Sequence, residues 1–549
     1  MANYANKYRT GLLTAVSGAL LLHAPAPAQT PPPPNSALLR TYLPAITAAI
    51  SNFNPDPLAV VDTLPNRHQL GDGVPDQAVP LQYISSRGAL GQSFPPLTNI
   101  PGTCTGTDNQ GHPVSWSIGT NIDAGHSIID STSTQYLQFL AVTCGSSDNH
   151  QAVTSAQTWY RIGHGPPNNV TFGPFKQLIG PGFTPTNPMP GLIVGKNGYQ
   201  LPGDTLIISS NQEQDVLLPI AFSPPLDSNG NPVQSQYNVT SYAEAHILRG
   251  HWRSDGSDLD WQLGQAAQVP QTESTRGLDE TAIVEMATNG HCIIVSRGSN
   301  EGNLSLVGHY WLFESQDGCR TWVNAGIPLG WDDGSTYYAP AAAPFLYKDA
   351  NNRLIFMGAN SDPNNSNANS PRTRVVAAEL DLTQLKLLKH TAVIVDEKYG
   401  LDTDSVDLIF GNFYYPQSTG NIFYYARRQD LGNPCPAGTN PANSCYPHNW
   451  HLLHPIPPPS ASFVISADPT VPNQVDWPAI PNAQSFIVYA RNPSHQGFWE
   501  LQGSVSGSAA GHFSLQSLPS NTDVEVTVFA AADPNGVLTS SNQITIHTH

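Results

Sequence analysis

This chain is poor in charge. Only 12% of its 549 residues are Asp, Glu, Lys or Arg, and 23 basic residues face 41 acidic ones, for a formal net charge of −18. Nucleic acids and anionic membranes both call for a basic face, so neither fits as a partner. An anionic sugar is not excluded, because it needs only a few local arginines. Runs of Lys and Glu of the coiled-coil kind are absent. Cys-x-x-Cys is also absent, which leaves zinc-thiolate and dithiol redox chemistry without support. No metal-ligand cluster stands out among the 18 His, and no cofactor is expected; a calcium ion in a loop stays open. The apolar run at 11–22 is too short to cross a membrane.

What is abundant is Pro, at 50 residues, and Gly, at 45. That composition suits a loop-rich all-β protein and opposes a helical one. A chain of this length is expected to hold more than one domain.

The first 28 residues read as a cleavable signal: Lys7 and Arg9, the apolar run, then Ala26-Pro27-Ala28. No Cys near that point offers a lipid anchor. The expectation is a secreted or periplasmic, monomeric protein. Six cysteines in an exported chain suggest three disulfides, and spacing favours Cys104–Cys144, Cys292–Cys319 and Cys435–Cys445 among the possible pairings.

Four prolines at 31–34 mark a linker, and residues 36–52 fit one short helix, so 29–54 is taken as linker plus helix. From 55 to 455 short strands alternate with Gly, Asn, Asp and Pro turns, for example at 136–142, 205–209, 293–295, 354–357 and 422–425. About 400 residues at roughly 40–70 per blade correspond to five to seven propeller blades, and six is the expectation. Pro457-Pro458-Pro459 opens a second linker. Residues 460–549 fit a small β-sandwich around Trp477, and resemble a fibronectin type III domain, with Val524 where that family usually has Tyr.

One hairpin carries chemistry. Residues 280–297 run from Glu280 through an apolar stretch at 282–286, an Asn289-Gly290 turn and a second apolar stretch to Arg297. Asn-Gly between two apolar runs is a strong hairpin signal. It places a carboxylate and a guanidinium at the two outer ends. Glu285, five residues after Glu280, falls on the other strand face and reads as structural.

Ser315-Gln316-Asp317-Gly318-Cys319-Arg320-Thr321-Trp322 resembles the Asp-box of sialidase-type propellers, with Cys319 in place of a Gly; residues 254–261 resemble a degraded copy. Glu280, Gly290 and Arg297, then Arg372 before Val375-Val376-Ala377, then Tyr415-Pro416, follow the order of motifs in the sialidase superfamily over about residues 190–430. The strand that opens a middle blade would be 202–208. The resemblance implies an all-β, six-bladed sialidase-like propeller followed by a small β-sandwich.

It further implies an exported glycoside hydrolase that cleaves a terminal sialic acid or a related acidic sugar. Arg297 and Arg372 would clamp the sugar carboxylate with bidentate hydrogen bonds. Tyr415 would be the nucleophile and Glu280 its base, since a Tyr hydroxyl avoids the charge repulsion a carboxylate nucleophile would meet. Arg374 and Tyr414 are neighbouring alternatives to Arg372 and Tyr415. Arg297 could instead pair with Asp279 or Glu301. The sequence departs from the family in lacking Arg-Ile-Pro; Arg67 and Arg87 are replacements to weigh, and Asp123 or His126 could be the general acid. The other readings are a hydrolase or polysaccharide lyase acting on another glycan, and a glycan-binding propeller without turnover.

Overall fold

The computed structural model describes the strand Leu38–Tyr42, the greater part of residues 100–186, the strand Ile207–Ile208, most of 215–397, the strands Val406–Tyr414, Ile422–Asp430 and His448–Pro455, and most of 463–549. The expected signal at 1–28, the proline stretches at 31–34 and 457–459, Arg67, Arg87, Asp123, His126, Tyr415, Cys435 and Cys445 lie outside the described residues. The described chain is all-β, without an α-helix. No helix among the described residues is long and apolar enough to cross a membrane.

Five antiparallel sheets occupy the described parts of 38–455. The expectation was six blades. One sheet joins the ends of this region: Leu38–Tyr42 pairs with His448–Pro455, beside Ile422–Asp430 and Val406–Tyr414. This corrects the short helix expected over 36–52. The apolar spacing of Leu38-Leu39 and Tyr42 serves a strand here, because a tertiary partner supplies the backbone hydrogen bonds that a helix would make internally.

The sheet holding the hairpin runs Leu278–Glu285, Cys292–Gly298, Tyr310–Ser315, Ile327–Pro328. It is buried on both faces, which is why its strands read as near-continuous apolar runs. Ala282, Val284, Ile293, Val295, Tyr310 and Leu312 pack against the sheet built on Phe345–Lys348, Leu354–Asn360 and Arg374–Asp381. Ile283, Ile294, Trp311 and Phe313 pack the other way, against Leu217, Ala245 and Ile247 of the sheet before it. Gly277 lies where those two sheets touch. It forms a parallel bridge with Ala243 at a φ of +72°, and a Cβ there would fall 1.9 Å from the Ala243 carbonyl oxygen.

The turn end of the hairpin is stitched down by the Asp-box. Asp317 Oδ1 accepts hydrogen bonds from the Arg320 and Thr321 backbone N–H, at 3.0 and 2.9 Å, and from the Ser315 hydroxyl at 2.8 Å. Asp317 Oδ2 accepts from the Thr321 hydroxyl at 2.7 Å. Burial opposes the charge on Asp317, but these bonds outweigh it and hold its carboxyl below the usual range. Trp322 donates from Nε1 to Gln265 O at 3.0 Å, reaching toward the preceding sheet. Gly318 N donates to Gly290 O at 2.7 Å, and Cys292–Cys319 is a disulfide, as is Cys104–Cys144. Both pairings match the spacing argument. Removing the four Asp317 bonds by Asp317→Ala should lower stability by about 2–4 kcal/mol. A urea unfolding midpoint unchanged from wild type would show that the box contributes nothing.

Residues 463–549 form two facing sheets around Trp477, Phe486, Val488, Val524, Val526 and Val528, with Trp477 and Phe486 rings 5.1 Å apart. The module is docked on the strand Val393–Glu397. Trp499, 1% exposed, donates from its backbone N to Ala392 O at 2.9 Å and from Nε1 to His390 O at 3.0 Å. Arg491 lies over the Trp499 ring at 4.8 Å and donates to the same His390 carbonyl.

Candidate active site

The outer end of the hairpin is irregular, and the irregularity sits on Glu280. Pairing runs Leu278 with Gly298 and Asp279 with Arg297, then resumes at Thr281 with Ser296, leaving Glu280 as the extra residue of a bulge. Its φ is +36°, a left-handed conformation that costs a non-glycine residue on the order of 1–3 kcal/mol. The bulge brings Asp279 into register with Arg297 as well, so both carboxylates lie beside that guanidinium. Arg297 Nη1 donates to Glu280 Oε2 there. Glu285 lies on the opposite face, buried across from Cys292.

Two further groups flank Arg297. Its Nε lies 3.5 Å from Asp279 Oδ1, and its Nη2 donates to Asn369 Oδ1 at 2.9 Å. Asp279 is itself 3.8 Å from Arg276, whose other nitrogen is 3.4 Å from Glu301. Glu280, Arg297, Asp279, Arg276 and Glu301 thus alternate in sign along the end of the sheet. Arg297 pairs with Asp279, and Glu301 takes Arg276 instead.

Arg372 joins the same cluster from the neighbouring sheet. The turn before Arg374–Asp381 brings its Nε to Asn369 O at 3.0 Å and its Nη2 to Ala341 O at 2.8 Å. Its guanidinium is therefore held by carbonyl oxygens alone among the described residues, with no carboxylate in contact. Arg374 turns away and donates to Asn360 Oδ1 at 3.2 Å. A guanidinium has five N–H donors. Two of those on Arg372 are used, which leaves three for a ligand.

Electrostatics follow from this crowding. Burial pushes the Glu280 carboxyl up, but the Arg297 charge, its hydrogen bond and the Arg372 charge outweigh that and hold it below the usual range. Asp279 goes the other way: burial raises it, and the two arginines beside it do not compensate fully. Burial and the like charge of Arg297 make Arg372 less basic than usual. Arg297 is held protonated against its burial by Glu280 and Asp279. Tyr310, the register partner of Arg297, is fully buried and accepts a hydrogen bond from Ala359 N at 2.9 Å. Burial raises its hydroxyl.

Of the four residues singled out in the sequence, the structure brings together Glu280, Arg297 and Arg372. Tyr415 is outside the described residues. The strand before it, Val406–Tyr414, meets the cluster at Asp407, where Arg372 N donates to Asp407 Oδ1 at 2.8 Å. Asp279, Arg276, Asp407 and Asn369 were not recognised as part of a site. Asn369 is concealed in an Asn-rich stretch, 364–369, that reads as turn.

No protein-family model and no curated protein sequence matches this chain. Among solved structures, the sialidase of Trypanosoma rangeli in complex with sialic acid is 11% identical, with 79% of this chain and 76% of that chain covered and a TM-score of 0.34. Bombyx mori GH32 beta-fructofuranosidase BmSUC1 is 10% identical over 75% of this chain and 84% of that one, at a TM-score of 0.30. A structure titled glycoside hydrolase is 9% identical over 64% and 90%, at 0.32. Likenesses at such scores carry no functional weight, which falls on the Glu280, Arg297 and Arg372 cluster.

Proposed function

We propose that this chain is an exported glycoside hydrolase acting on a terminal acidic sugar, sialic acid or a close relative. The observation that carries this reading is Arg372: a guanidinium bonded, among the described residues, only to carbonyls, beside Arg297 and the bulged Glu280. A ligand carboxylate would find unused N–H donors there and no competing carboxylate on Arg372. Arg297 keeps one N–H on each terminal nitrogen beyond its bonds to Glu280 and Asn369. The two arginines form the clamp. Glu280, ionised and 24% exposed, is the base that takes a proton from the nucleophile. Tyr415 is the nucleophile suggested by motif order. No cofactor is needed for this chemistry.

The deciding experiment offers the purified protein a fluorogenic 4-methylumbelliferyl sialoside, a uronate polymer and neutral glycosides. Release from the sialoside, lost in Tyr415→Phe and Glu280→Gln, supports the full assignment. Release that survives Tyr415→Phe places the nucleophile elsewhere. Unsaturated product absorbing in the ultraviolet would make the protein a lyase. Binding of acidic glycans without turnover would make it a lectin-like propeller.

A further inference from the structure

We propose that Asn369 is the positioning residue that sets the separation and charge of the two-arginine site. This rests on the acidic-sugar reading and deepens it. Asn369 accepts hydrogen bonds from both guanidiniums. Its side-chain oxygen accepts from Arg297 Nη2 at 2.9 Å, and its main-chain oxygen accepts from Arg372 Nε at 3.0 Å. Arginine has no acceptor, so the amide must present oxygen to Arg297 and keep its NH2 outward. Two groups on one residue, fixed relative to each other by its backbone, therefore hold two cations that repel one another.

The turn that carries Asn369 is itself anchored. Ser370 Oγ donates to Asp407 Oδ2, and Arg372 N donates to Asp407 Oδ1 at 2.8 Å. Leu408 N returns a bond to Arg372 O at 3.0 Å. Asp407 is 4% exposed, so the clasp is buried. Both Asp407 oxygens thus accept from the turn that carries Asn369. The neutrality of the amide also matters. An Asp at 369 would fit the same space and bond Arg297, but it would supply the very group the clamp is meant to receive from the ligand. An Asn holds the arginines without neutralising them.

The test uses the full chain with two probes and two variants. The probes are free N-acetylneuraminic acid and its methyl ester, the same sugar without the charge, with binding read by calorimetry at neutral pH. Asn369→Asp should weaken the acid by about tenfold or more, as expected for loss of a charge-assisted pair, and the ester by much less. Asn369→Ala should weaken the acid less. Phenylglyoxal footprinting, read by mass spectrometry, reports the arginines without any ligand: Asn369→Ala should speed modification of Arg297 and Arg372 several-fold. Unchanged modification rates in Asn369→Ala overturn the positioning role, whatever the sugar does. If the wild type binds acid and ester alike, the acidic-sugar reading fails, and footprinting still decides Asn369. If the wild type prefers the acid and Asn369→Asp binds it equally well, the charge argument is wrong.

Discussion

Glu280→Gln should lower kcat about 10²–10⁴-fold, the usual contribution of a positioned base. The protein should stay folded, because the carboxamide oxygen can still accept from Arg297, and Asp279 remains 3.5 Å from the same guanidinium. The pH profile gives a second handle. A carboxyl held below its usual range is ionised throughout the neutral region and loses its charge only when pH falls through the lowered value. The acid limb of kcat/KM should therefore lie below the usual carboxylate range. By the same linkage, the Glu280–Arg297 pair adds stability above the usual carboxylate range and loses it at lower pH. Near wild-type kcat in Glu280→Gln, with intact circular dichroism, would remove Glu280 from the mechanism.

Arg372→Lys should reduce kcat/KM for acidic substrates by about 30-fold or more, corresponding to roughly 2 kcal/mol for a desolvated charge pair, with little change for neutral glycosides. Lys keeps the charge but has no planar fork, so a loss on this scale isolates geometry from charge. Arg297→Lys should show the same preference and also lower stability, because it gives up partners at Asp279, Glu280 and Asn369 together. Equal losses on acidic and neutral substrates in both variants would mean that these arginines hold the fold and not a ligand carboxylate.

The hairpin was readable because its information is local. Asn289-Gly290 and the apolar runs mark two paired strands, so Glu280 and Arg297 must share one end. The bulge was not readable. A simple alternation puts Glu280 directly in register, whereas the strand inserts it as an extra residue at positive φ. Nothing in the residue types announces that, since Asp279 rather than Glu280 takes the register position opposite Arg297. The Asp-box was legible for the opposite reason: its Asp, Ser and Thr bond within four residues of one another. Residues 36–52 misled because an apolar spacing compatible with a helix was claimed over 38–42 by a strand more than 400 positions away.

By itself, the sequence determined that this is an all-β, acidic, turn-rich protein with an apolar hairpin ending in Glu280 and Arg297 and a C-terminal strand set around Trp477. Those properties follow from composition, turn chemistry and short-range pairing. Only the tertiary structure decided which charges meet. Arg297 finds Asn369 from 72 residues away, Arg372 is supported by Ala341 and clasped by Asp407 from another sheet, and Trp499 docks the C-terminal module on His390 and Ala392. The physical reason is that a guanidinium or carboxylate is placed by whichever strand ends pack beside it, and that packing is fixed by apolar faces whose partners are distant in the chain.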